Sequence, residues 1–242
     1  MSNRFYAPGE QRAAKINDLF SQIARRYDLI NDVQSFGMHR RWKRRLVGLA
    51  NPAPGVRALD ICCGTGDITF ALAARGAEAV GLDFSEPMLA VAEDRRRKSE
   101  VRPPTSVRFV HGDAMKLPFP EATFDIVTVG YGLRNLASWE TGLREMLRVA
   151  RPGGRVLVLD FGKPDNALWR TLYFGYLRLF VPVYGLALVG RASAYAYILE
   201  SLKHYPAQRG VEARMHELGL ENVRVVNLLG GAMSFNAGEK PA

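Results

Sequence analysis

Apolar residues in this chain follow two periods, and the switches between them divide it into elements. Ala14, Ile16, Leu19, Phe20, Ile23 and Ala24 recur at three- and four-residue steps, which predicts a helix from Gln11 onward. Asn31 to Gly37 breaks that period, Met38 to Leu49 resumes it, and Asn51 to Gly55 (NPAPG) is a turn cluster. The run Arg57 to Ile61 then reads as a buried strand, and Asp67 to Arg75 as an amphipathic helix. The alternation repeats. Ala79 to Leu82 is a strand ending at Asp83, and Ser85 to Lys98 is a helix with Ser85 as N-cap and Pro87 in its first turn. Val107 to Val110 and Phe124 to Val129 read as strands. Ser138 to Val149 is a helix stopped by Arg151 to Gly154 (RPGG), and Arg155 to Leu159 is a fifth strand. Alternating elements with apolar strands predict an α/β fold built on a doubly wound, mostly parallel sheet.

Asn166 to Leu202 interrupts the alternation with a stretch dense in aromatic and aliphatic residues. Its longest uncharged run, Leu179 to Gly190, contains Pro182 and falls well short of the roughly 20 apolar residues a bilayer span needs. Two readings stand: a core-packing helical insertion, or an apolar lid over a greasy substrate. A helix near Ala207 to Leu218 and strands at Asn222 to Leu229 and Ala232 to Phe235 close the chain. The expectation is one domain: a helical arm (1–55), a core (56–160), an insertion (161–206) and a closing helix with strands (207–242).

Composition changes this picture little. At 48% hydrophobic and 24% charged residues the chain is an ordinary globular one. Its net charge of +9 suits nucleic acid, an anionic membrane surface, an acidic ligand, or no dedicated partner. The two cysteines, Cys62 and Cys63, are adjacent. A disulfide between neighbours is strained, and two cysteines alone make no zinc site, so reduced thiols are expected. The opening MSNRFYAPGEQ has no apolar core of a secretory leader.

The candidate chemistry centres on Leu59 to Thr69 (LDICCGTGDIT), a strand, a glycine turn and a helix start. In an open α/β sheet such a turn lies where ligands bind. A nicotinamide dinucleotide and S-adenosylmethionine compete for it. The dinucleotide fingerprint needs a third glycine, and Thr69 stands there. Asp83 at the end of strand two suits a ribose diol in either. Asp60, Asp67 and Asp113 would repel a diphosphate but suit an ammonium and a sulfonium. Each aspartate alone is an ordinary turn residue; their grouping favours S-adenosylmethionine.

The stretches LDICCGTGD, GLDFSEPML, GDAMKLPFPEATFDIVTV and LRVARPGGRVLVLD resemble a class I, Rossmann-like S-adenosylmethionine-dependent methyltransferase over Val56 to Asp160. YDLINDVQSFGMHRRWK (Tyr27 to Lys43), YGLRNL (Tyr131 to Leu136), AYILESLKHYP (Ala196 to Pro206) and NLLGGAMSF (Asn227 to Phe235) resemble the ubiquinone/menaquinone biosynthesis C-methyltransferase family. That resemblance covers nearly the whole chain and implies an antiparallel last strand. Asp160-Phe161-Gly162 departs from the Glu-Phe-Ser of many members, and Cys62 stands where many methyltransferases have glycine. FYAPGEQRAAKINDLF and the Leu-Asp-Phe step resemble the cyanobacterial and plastid branch, which methylates demethylphylloquinol. Demethylmenaquinol or a ubiquinone precursor is the alternative substrate.

Carried over residue by residue, the resemblance implies that Gly64, Thr65 and Gly66 approach the methionine part of the cofactor. Asp83 takes the ribose hydroxyls, Asp113 and Ala114 flank the adenine, Gly130 lies near the methyl, and Asp60 orients the turn or the amino group. The sulfonium makes the methyl electrophilic, so no metal is implied. The protein must accept a phenolic proton and stabilise an oxyanion. Arg134 and Asn135 are candidates for orienting the quinol oxygen, and His39 and Tyr27 for acid–base work. The basic run His39 to Arg45 suits an anionic membrane, which predicts a cytoplasmic protein peripheral to the inner or thylakoid membrane. A homodimer is compatible with the sequence, which does not set the oligomeric state. Rival readings are a nucleic-acid methyltransferase, which would want an Asn/Asp-Pro-Pro-aromatic motif that is absent, and a non-enzymatic relative, against which the intact turn and Asp83 argue.

Overall fold

The computed structural model describes residues 27–98, 106–179 and 193–242, together with Asp18 and Ala24. The expected helix from Gln11 and most of the run Leu179 to Gly190 lie outside them. The elements are α1 (Tyr27–Ser35), α2 (Met38–Ala50), β1 (Arg57–Ile61), α3 (Asp67–Ala73), β2 (Glu78–Asp83), α4 (Glu86–Lys98), β3 (Val107–His111) and β4 (Phe124–Gly130). They continue with a 3-10 turn (Leu133–Asn135), α5 (Trp139–Val149), β5 (Ala150–Phe161), α6 (Ala167–Leu179), α7 (Ser193–His204), α8 (Ala207–Glu217), β6 (Glu221–Leu228) and β7 (Met233–Glu239).

The seven strands form one sheet in the order β3-β2-β1-β4-β5-β7-β6. β1 to β5 pair in parallel, and β7 runs antiparallel between β5 and β6. The strand order reverses between β1 and β4. That is the switch point of a doubly wound sheet, where the two flanking loops diverge and leave a crevice. The glycine turn after β1 and the end of β4 both open onto it.

Strand alternation sends side chains to two cores. Leu59, Ile61, Val127 and Val129 meet Leu143 and Met146 of α5, Tyr173 and Leu177 of α6, and Val211 and Met215 of α8. Ala58 and Leu157 meet Leu46 and Val47 of α2 and Ile68 and Leu72 of α3 on the other face. The helical insertion thus contributes to the core through Tyr173 and Leu177. It also leaves Leu168, Trp169 and Leu172 exposed.

Two local expectations are corrected. The period break at Asn31 to Gly37 is not a loop, because α1 runs through Ser35. Only Phe36 (φ 50°) and Gly37 (φ 72°) leave the helix, in a left-handed corner that turns the chain into α2. Arg151 to Gly154 follows the end of α5 but belongs to β5, where Gly153 and Gly154 exchange hydrogen bonds with Lys240.

Candidate active site

The glycine turn is shaped by three left-handed residues, Cys62 (φ 52°), Gly64 (φ 56°) and Gly66 (φ 87°). Gly66 has no alternative here. A Cβ on it would come within 2.8 Å of Phe109 and 2.9 Å of Phe70. Cys62 holds the same conformation with a side chain, which for a non-glycine residue is strained. Gly132 makes room for it, since a Cβ there would overlap the cysteine.

Asp83 ties the turn to β2. Its Oδ2 accepts the Gly64 N–H at 2.8 Å and its Oδ1 accepts the Ser85 N–H at 2.9 Å. Burial raises its pKa, and these two amides oppose the rise. Asp113 likewise accepts the Met115 N–H at 2.8 Å, and Ala114 is buried beside it. Gly130 ends β4 against Leu159, and a Cβ there would overlap Ile68. The structure therefore brings Gly64, Gly66, Asp83, Asp113 and Gly130 to one edge of the sheet, at the carboxyl ends of β1, β2, β3 and β4.

Asp60 stands apart from them. The period of β1 places it on the face of Ala58, under α3 rather than in the turn. Its carboxylate accepts Thr69 Oγ1 at 2.8 Å and Thr128 Oγ1 at 3.0 Å. Burial pushes its pKa up to about 7, with both hydroxyls opposing. It joins the first turn of α3 to β4.

The N-terminal arm clamps the turn from above. Thr65 Oγ1 donates to Asp28 of α1 at 3.0 Å. Lys43 of α2 and Arg95 of α4 each lie 2.8 Å from Asp67, and Arg95 also donates to the Thr65 carbonyl at 2.8 Å. Burial lifts the Asp67 pKa, but Lys43 and Arg95 outweigh it and hold the carboxyl below the usual range. This corrects the charge argument for the cofactor. Asp67 is already neutralised by two cations and Asp60 is withdrawn under α3, so the grouping of aspartates does not by itself exclude a diphosphate. Asp28 and Asp32 both lie within α1 and bind across to other elements.

Below the arm is a cavity of about 420 Å³. Its walls are largely apolar: Trp42, Phe161, Trp169, Leu172, Tyr173 and Met233 among others. Its polar lining comes from Tyr27, Asn31, Gln34, His39, Tyr131 and Arg134. The sequence candidates Tyr27, His39 and Arg134 thus meet in one cavity, although 95 residues separate His39 from Arg134. Burial pushes the Tyr27 phenol up to about 12 and raises the Tyr131 phenol well above its ordinary value.

Arg134 is pinned. Its guanidinium donates to Asp160 Oδ1 at 2.8 Å and to the Tyr131 carbonyl, and it stacks 4.6 Å from the Phe161 ring centroid. Its backbone N–H also donates to Asp160 Oδ2 at 3.1 Å. Burial raises the Asp160 pKa and Arg134 opposes the rise. Asn135 donates to the Tyr131 carbonyl at 3.2 Å, so it supports the loop. Sequence reasoning noted Asp160 only as a departure from a pattern. The usable signal was an acid closing an apolar strand, as at Asp60 and Asp83.

His39 and Lys43 are buried, which takes them out of the basic run His39 to Arg45 read as suiting an anionic membrane. The exposed basic face of α2 is Arg40, Arg41, Arg44 and Arg45.

Comparisons with known proteins agree with this architecture. Two solved methyltransferases share the fold. One is an S-adenosylmethionine-dependent enzyme from Aquifex aeolicus, with a TM-score of 0.57 and 16% identity over 81% of this chain and 88% of that one. The other is phosphoethanolamine N-methyltransferase 2 from Haemonchus contortus in complex with S-adenosyl-L-methionine, with a TM-score of 0.62 and 18% identity over 84% of this chain and 53% of that one. Curated relatives are far closer in sequence. The ubiquinone/menaquinone biosynthesis C-methyltransferase UbiE of Ectopseudomonas mendocina is 43% identical over 97% of this chain and 92% of its own length. The demethylmenaquinone methyltransferase of Bacillus licheniformis is 37% identical over 96% and 99%. The ubiE/COQ5 methyltransferase family matches residues 9–240. This chain belongs to that family and is a class I S-adenosylmethionine-dependent C-methyltransferase.

Proposed function

We propose that the protein methylates a ring carbon of a prenylated quinol, a demethylmenaquinol or a ubiquinone precursor. The observation that carries this reading is the apolar cavity of about 420 Å³ with Arg134, Tyr27 and His39 in its lining. It suits a flat, hydrophobic ring bearing two oxygens, and a polar or nucleic-acid substrate has no match there. The relatives' names favour the menaquinone and ubiquinone substrates over the demethylphylloquinol that the sequence placed first.

The residues present fit S-adenosylmethionine. The turn at Gly64 to Gly66 lies at the sheet's switch point with Gly64 half-buried, and Asp83 is a fixed acceptor beside it. Gly64, Thr65 and Gly66 hold the methionine part, Asp83 the ribose hydroxyls, Asp113 and Ala114 the adenine edge, and Gly130 lies near the methyl. When bound, the cofactor supplies a methyl group already activated by its sulfonium. The chain's own work is to orient the ring, exclude water and stabilise the developing oxyanion, for which the Arg134 guanidinium is placed. Purified protein with labelled S-adenosylmethionine and a panel of reduced demethylated quinones tests the reading. Label is expected in demethylmenaquinol or a ubiquinone precursor. Label in demethylphylloquinol alone would restore the first substrate reading, and label in RNA but in no quinol would overturn the function.

The substrate's tail supports peripheral membrane contact. Phe36, Trp169, Leu172 and Leu229 line the cavity yet are exposed, Phe36 by 79%, so they form its mouth. Leu29 and Val33 continue the apolar strip along α1. Among the described residues no helix is long and apolar enough to cross a membrane. Arg40 is paired with Asp32, and Arg41, Arg44 and Arg45 of α2 add about 1 kcal/mol each where they reach an anionic surface. The protein is expected to float with anionic liposomes at low salt and to be released as salt rises; failure to bind at low salt would rule the contact out.

A further inference from the structure

We propose that His39, oriented by Asp32, is the general base that takes the phenolic proton of the quinol. The inference rests on the quinol reading above and adds to it the group that activates the ring.

The geometry selects the tautomer. His39 Nε2 lies 2.8 Å from Asp32 Oδ1. Asp32 is itself gripped by Arg40, through Nε at 2.7 Å and Nη2 at 2.6 Å. Arg40 first and His39 second hold the Asp32 carboxyl down at about 2, so at neutral pH it can only accept. The Nε2 nitrogen therefore carries the proton. A neutral imidazole has one N–H, which leaves Nδ1 as a bare acceptor. That Nδ1 is buried and has no partner among the described residues, and His39 lines the cavity. The Tyr131 hydroxyl and Gln34 Nε2 are also buried in the same lining without partners among the described residues. A native fold rarely leaves such atoms unmet, and three around one cavity point to a ligand with oxygens to share.

The other titratable groups of the lining do not qualify. Arg134 carries no acceptor. The phenols of Tyr27 and Tyr131 are pushed above their ordinary value by burial and stay protonated. His39 is pulled down from 6.5 chiefly by burial, with Asp32 opposing, so it is mostly unprotonated at neutral pH. The charged groups facing it are Asp32 of α1, Lys43 of α2 and Asp67 of α3.

The step balances without another reagent. The phenolic O–H bond breaks, its proton passes to His39 Nδ1, and the electron pair moves into the ring. The ring carbon bonds to the methyl carbon as the methyl–sulfur bond breaks, its pair staying on sulfur. The C–H proton at that carbon then leaves to solvent as aromaticity returns, and the oxygen regains its proton from His39. One proton is released per turnover.

The test compares wild type with His39→Gln and Asp32→Asn on a reduced demethylated naphthoquinone. Glutamine keeps a donor to Asp32 and removes the acceptor. It is expected to lower kcat about 10²-fold, with cofactor affinity by calorimetry unchanged. In wild type, kcat falls as pH drops through a value below 6.5. Asp32→Asn removes the charge that raises the His39 pKa, so it lowers kcat and moves this acid limb to lower pH. A purely structural Asp32 would leave the limb in place. Wild-type turnover matched by His39→Gln, or an unmoved acid limb in Asp32→Asn, would overturn the base while leaving the quinol reading intact. Absence of quinol turnover in wild type would overturn both.

Discussion

Replacing Arg134 with alanine is expected to lower folding stability by about 3–5 kcal/mol and to abolish turnover. The stability loss follows from the pairing: both Arg134 and Asp160 are buried, and removing one partner leaves the other charge uncompensated. The alanine variant alone cannot separate catalysis from folding. The double substitution Arg134→Met with Asp160→Asn can. It removes both charges, keeps an acceptor for one of the Arg134 and Phe161 backbone amides that now donate to separate oxygens of Asp160, and should recover part of the lost stability in urea denaturation. Turnover should remain about 10²–10³-fold down, the scale of a lost oxyanion-stabilising donor. A double variant that regains turnover together with stability would show that the arginine only holds the loop after β4.

Asp83→Ala is expected to weaken S-adenosylmethionine binding on the order of 10²-fold. A hydrogen bond to a charged group is worth about 1.5–3 kcal/mol, and a ribose diol offers two donors to this carboxylate. The substitution also orphans the Gly64 and Ser85 amides, which now donate to it. The turn should therefore loosen, at a stability loss of about 1–3 kcal/mol. Calorimetric titration of the cofactor measures the first effect and urea denaturation the second. Unchanged affinity in a folded variant would place the ribose elsewhere. At saturating cofactor the variant should keep a substantial share of wild-type turnover, because Asp83 is no part of the lining around the quinol.

Much of the fold was legible because its signals are local. The apolar runs at Arg57 to Ile61 and Phe124 to Val129 are strands, and Ser138 does cap α5, accepting the Thr141 N–H at 3.1 Å. The misreadings were also local in origin. Asn31 and Asp32 look like turn formers, and their helix is sustained instead by partners in the next helix: the Asp32 carboxylate is satisfied by His39 and Arg40. The glycines of RPGG look like a stop, yet β5 absorbs them because Lys240, just past the closing strand, pairs with them.

The candidate site divides the same way. Its cofactor half could be read from spacing, since a strand, a glycine turn and an acid at the next strand end are neighbours in the chain. Its substrate half could not. His39, the pair Tyr131 and Arg134, Trp169 and Met233 belong to four separate stretches, and only folding brings them around one cavity. The sequence by itself determined the sheet, the family and the glycine turn, because hydrophobic period and turn chemistry act over a few residues. The tertiary structure alone decided which charges stand uncompensated. Asp67 stays ionised but is paired with Lys43 and Arg95, Asp60 withdraws beneath α3, and His39 leaves the basic face to line the cavity. Pairing and burial set those outcomes, and both depend on residues that meet only in three dimensions.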